Sequence, residues 1–218
     1  MASREICSFF ALPRQVRDDI YRRVLVVVHP LYLFKDAHSP NVELFAPEKR
    51  RRWPALLFTN RQLNAEASAI LYGSNHFTLV DTTSNQVNLL QAFLDGIGPG
   101  NAAHLSHLTI NFPAAESQEE RVVLREADLR GLKLLQEKCT GLATLETHVQ
   151  GGNSKGLTVT SLAEEGSQFA REALAQVDGQ FNAIPSLHKV IVRFYSGSPA
   201  PEVAELMQGY GWAILPGR

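Results

Sequence analysis

The sequence predicts a single α+β domain, in which a helical front half and a β-hairpin pack with a mostly parallel, irregular, repeat-like β/α sheet. Three observations lead there. Residues 9–100 carry long stretches of apolar residues at helical spacing, each bounded by proline, glycine or a polar cap. Residues 101–218 carry three strand-like runs separated by helical segments, an order that gives parallel strands joined by right-handed crossovers. The composition, 44% apolar and 20% charged over 218 residues, supplies a full core for one domain spanning 1–218.

In chain order, Leu12-Pro13 opens the first helix, since proline at the first helical position gives up an amide that is unpaired anyway. Val16, Ile20, Val24 and Val27 recur at helical spacing, widened by Tyr21, Leu25 and Val28, and are expected to face the core. Asp18 with Arg22 and Asp19 with Arg23 form acid-first i,i+4 pairs, worth about 0.3–0.5 kcal/mol each. Tertiary packing must therefore hold the helix in place. Pro30 stops it. Leu31–Phe34 and Val42–Phe45 then read as two strands of a long-looped hairpin.

A second helix is expected from Pro54, with Leu56, Asn60, Leu63, Ala67 and Ile70 on one face, joined by Leu57 and Leu71. Gly73 is placed to cap it in a left-handed conformation. Phe77–Val80 alternates like a half-buried strand. Thr83 and Gln86 form a capping box before a third helix carrying Val87, Leu90, Leu94 and Ile97, ended by Gly98-Pro99-Gly100.

The strand runs of the second half are His104–Phe112, Gly141–Val149 and Ser186–Phe194. Helices are expected between them, near Glu119–Lys138 and Ser167–Phe181. Gly151-Gly152-Asn153 reads as a turn toward Gly156–Thr160. A last helix, Pro201–Gln208, and the run Trp212–Leu215 add a unit at the edge. The spacing is longer and less even than that of leucine-rich repeats.

Read together, two segments resemble a large group of fungal F-box-like proteins. The resemblance rests on Leu12, Pro13, Arg17, Ile20 and Tyr21, followed by Arg61, Gln62, Glu66, Ala67, Leu71, Tyr72, Asn75 and Phe77. It implies F-box-like helices in residues 9–100 and a strand–helix half in 101–218. It also implies a substrate adaptor of a cullin ubiquitin ligase, docking a Skp1-type protein through Leu12, Pro13, Ile20, Tyr21 and Val24. On that reading the protein is a non-enzymatic protein-interaction module.

The residues themselves point to no reaction. Net charge is -1, so no global field favours nucleic acid or a membrane surface. Cys7 and Cys139 stand far apart without a Cys/His companion, which fits a reducing, nuclear or cytoplasmic setting. The N-terminal apolar run Ile6–Leu12 is too short for a secretory core. No familiar nucleophile, phosphate or dinucleotide pattern follows a strand, so no catalytic or cofactor-binding residue is assigned and no cofactor is expected.

Several polar groups nonetheless invite a role. His104 and His107 lie three apart but have no HExxH context or nearby carboxylate, so no metal ligand is assigned either. Arg61 and Glu66 are expected to make a polar contact with Asp18 or Asp19 that locks two helices. Glu164 and Glu165 diverge on a helix and are expected to face solvent. The aromatics Phe9, Phe10, Tyr21 and Tyr72 are expected in the core, with an interface as the alternative. The basic patch Lys49, Arg50, Arg51 and Arg52, closed by Trp53, leaves a second reading open: a nuclear, nucleic-acid-associated protein. An enzyme with an unfamiliar site is the third.

Overall fold

The computed structural model describes residues 8–35, 41–49, 53–80, 86–119, 121–151, 157–158, 164–195 and 197–217. Its first half runs α1 (Arg14–Leu25), β1 (Leu31–Lys35), β2 (Val42–Phe45), a 3-10 turn (Trp53–Phe58), α2 (Arg61–Ser74), β3 (His76–Leu79) and α3 (Gln86–Ala102). The second half runs β4 (His107–Asn111), β5 (Ala115–Gln118), β6 (Arg121–Leu124), α4 (Glu126–Lys138), β7 (Thr144–Val149), α5 (Glu164–Asn182), β8 (Lys189–Phe194), α6 (Pro201–Gly209) and β9 (Ala213–Pro216). The fold is mixed α+β, as the sequence predicts.

Seven strands form one sheet in the order β2-β1-β3-β4-β7-β8-β9. Within this sheet, among the described residues, only the β1–β2 pair is antiparallel; β1, β3, β4, β7, β8 and β9 run parallel. Parallel strands laid down in sequence order, each joined by a right-handed crossover, place their helices on the same side. The core agrees. Leu31, Leu33, Phe77, Leu79, Leu108, Ile110, Leu145, Val190 and Val192 meet buried residues of the six α-helices in one continuous cluster. The opposite face carries three cross-strand rows: His76, His107, Thr144 and Lys189; then Thr78, Thr109, Glu146 and Ile191; then Asn111, His148 and Arg193.

Several local expectations need correction. In α1 the buried residues are Arg17, Tyr21 and Leu25, whereas Val16 and Val24 are exposed and Ile20 is half-buried; the helix ends at Leu25, so Val27 and the exposed Val28 lie beyond it. Pro13 is the N-cap of α1, one residue before the helix. Asp18 pairs backward with Arg14 at 2.7 Å.

The helix expected from Pro54 breaks in two. Asn60 leaves the helical face to become the N-cap of α2, its side chain accepting from the Leu63 amide. Gly73 stays inside α2, and Asn75, in extended conformation, ends it. Gly98 (φ 79°) kinks α3, yet the helix resumes through Pro99 to Ala102. Arg121–Leu124, expected within the helix near Glu119–Lys138, instead form β6, which pairs antiparallel with β5 and packs on α5. Thr83 and most of the Gly152–Thr160 segment lie outside the described residues.

Gly141 is required by close approach. A Cβ there would collide with the Ala103 carbonyl oxygen, in the turn that leads to β7. Ala143 and Thr144 amides both donate to Ser106 O in the same crossing, so neither chain can easily give way. Gly141→Ala is expected to cost about 1–3 kcal/mol, read as a lower urea midpoint with unchanged cooperativity. An unchanged midpoint would show that this crossing yields.

Candidate functional site

Two regions concentrate features that packing alone does not account for. The first is α1. Its inner face is held by a buried polar cluster: Arg17 Nε donates to Glu66 Oε2 at 2.8 Å and its Nη2 to Glu66 Oε1 at 2.6 Å. Tyr21 Oη donates to the same carboxylate at 2.9 Å, and Gln62 Nε2 at 3.1 Å. The Arg17 guanidinium also reaches the Leu12 carbonyl, which fixes the chain entering the helix. Arg17 thus holds the Glu66 carboxyl at about 2, with burial opposing and the Gln62 and Tyr21 bonds adding to the effect. The two-pronged arginine–carboxylate geometry is the strong form of this contact.

Asn75 closes the other end of the helix pair. Its amide donates to the Leu25 and Leu71 carbonyls, and its oxygen accepts from the Val27 amide. Arg17, Tyr21, Glu66 and Asn75 therefore join α1 to α2. Glu66 does form a helix-locking contact, but its partner is Arg17 and not Asp18 or Asp19; Arg61 is exposed.

With Arg17, Tyr21 and Leu25 turned inward, α1 carries apolar residues on its outer side. Val16 is 42% exposed, Val24 39% and Phe10, just ahead of the helix, 36%. Ile20 and Leu12 are half-buried and Pro13 is exposed. The 3-10 turn packs beside α1 and carries Phe58, 85% exposed. Of the five residues expected to meet a partner, only Tyr21 is fully inside. Phe9 and Tyr72 are half-buried against the core.

The basic patch divides. Arg50, Arg51 and Arg52 lie outside the described residues. Lys49 is half-buried, and Trp53 packs against the core cluster.

The second region lies on the face of the sheet away from the core. His76 and His107, neighbours across β3 and β4, stack with ring centroids 3.7 Å apart and planes 4° from parallel. Thr109 Oγ1 is hydrogen-bonded to His76 Nε2. Glu146, buried on β7, takes Arg193 Nε at 2.6 Å and His148 Nε2 at 3.3 Å, both on Oε1. Burial pushes that carboxyl up, but the His148 and Arg193 bonds outweigh it and leave it at about 2.

Among the described residues His107 Nε2 is buried with no hydrogen-bond partner, and burial pushes the ring's pKa down. Beside the two imidazoles opens a pocket of about 450 Å³, whose lining includes Asn75, Ser106 and Thr144. The expectation that His107 has no nearby carboxylate is thus corrected: Glu146 and His76 are within reach, supplied by neighbouring strands. His104, its sequence neighbour, is exposed and takes no part. Nothing in a linear spacing announces three residues on three strands; the one available signal is that each sits near the start of a strand-like run.

The chain matches no known family model, no curated protein and no solved structure. Its candidate sites therefore stand on their own geometry. Among the described residues no helix is long and apolar enough to cross a membrane. Cys139 is fully buried and its thiol is pushed up to about 12 by burial, which makes it a packing residue and not a nucleophile.

Proposed function

We propose that the protein is a non-enzymatic interaction module that docks a Skp1-type partner through the outer side of α1, as an F-box-type substrate adaptor of a cullin ubiquitin ligase. The single observation that carries this reading is the division of labour within α1. A helix that served only as a wall of its own core would turn its valines inward. Here a buried arginine and tyrosine, matched to Glu66, hold the helix in place, and Val16 and Val24 are left toward solvent. Apolar residues repeating along the outside of a rigidly anchored helix are what helix-in-groove recognition requires. The resemblance of Leu12, Pro13, Ile20 and Tyr21 to the F-box pattern supplies the class of partner.

The test uses the intact chain and a purified Skp1-type protein. Val16→Asp with Val24→Asp changes exposed positions, so the fold should survive, as a wild-type melting curve would confirm. The reading expects a complex at micromolar concentration that weakens at least about tenfold in the double variant. No complex with the wild-type chain, or one indifferent to both substitutions, would sink it.

A further inference from the structure

We propose that His76, His107 and Glu146 form a binding site for a divalent transition-metal ion of the zinc class. Their three donor atoms all lie within 4.8 Å of one another. Donors on a tetrahedral zinc ion, at bond lengths near 2.0–2.1 Å, stand about 3.3 Å apart. The site thus needs a contraction of order 1 Å and a turn of the stacked rings toward a common point, movements within reach of side-chain torsions. The strands themselves need not move, because β3, β4 and β7 are hydrogen-bonded neighbours that already fix the three Cα atoms.

The unpartnered nitrogen of His107 is the second observation. A buried polar nitrogen without a partner costs free energy, and a metal ion satisfies it. Burial favours the neutral imidazole, which is the ligand form. Around the donors stand groups of the kind that orient metal ligands: the Thr109 hydroxyl on His76, and His148 and Arg193 on Glu146. Lys189 and Arg193 carry positive charge near His107 and weaken the site. Two imidazoles and one carboxylate leave a further coordination position, which the pocket beside His76 and His107 opens to water.

The experiment titrates the intact, metal-stripped chain with Co²⁺, read by its visible absorption, and then displaces it with Zn²⁺. One saturable equivalent is expected, weakened by ~10-fold or more in His107→Ala and in His76→Ala. The exposed His104→Ala is expected to bind like wild type. Should either variant fail to fold, histidine ring NMR of the wild-type chain decides: Zn²⁺ must shift the His76 and His107 signals first. Absence of saturable binding, unchanged binding in a folded His107→Ala, or first shifts at exposed His29 or His188 would each overturn the site.

Discussion

Phe77→Ala is expected to destabilise the protein by about 3–5 kcal/mol. Phe77 is fully buried at the junction of sheet and helices, in β3 between β1 and β4. Its ring stacks on Tyr72 of α2 at 5.6 Å and tilts against Phe93 of α3 at 5.7 Å. Removing it takes away apolar area and leaves a void walled by a sheet and two helices that are each pinned elsewhere, so collapse cannot recover much of the cost. Urea titration should give a lower midpoint with an unchanged slope. A loss below about 1 kcal/mol would mean that Tyr72 and Phe93 close the gap.

The same ring explains why the sheet was legible. Phe77, Leu108, Leu145 and Val190 occur in short runs flanked by helical periodicity, and parallel crossover order follows from that alternation alone. What misled was chemistry that depends on distant partners. Val16, Ile20 and Val24 are as regular a stripe as any core face. Yet the helix turns Arg17 inward instead, because Glu66 waits on α2, and no spacing rule encodes that pairing. The β5–β6 hairpin was hidden for a related reason. Its Glu, Gln and Arg residues favour a helix locally, while its pairing is supported by Val122 and Leu124 packing inward and by α5. The histidine–glutamate cluster needed the register of three strands. Periodicity reports which face of an element is apolar; it does not report which polar group will find a partner across the fold.

Glu66→Ala is the second large effect, expected to lower the melting temperature by on the order of 10 °C, because it strands a buried guanidinium and a buried phenol together. Glu66→Gln separates charge from shape, since the amide keeps one acceptor for Tyr21 or Arg17 but no negative charge. Tyr21→Phe removes one bond of the cluster and is expected to cost only about 1 kcal/mol.

The pH dependence fixes the sign. The folded-state pKa of Glu66 lies at about 2, below its ordinary value of 4.5. A depressed acid contributes stability that is present above the unfolded pKa and is lost as pH falls through the folded one. The stability gap between wild type and Glu66→Gln should therefore be widest above about pH 5 and shrink steadily toward about pH 2. Glu146, also at about 2, contributes a similar acid sensitivity to both proteins and cancels in the difference. A gap independent of pH between those limits would show that Glu66 is held by shape and neutral hydrogen bonds. The charge on Arg17 would then not be what turns α1's polar face inward and leaves its valines outside.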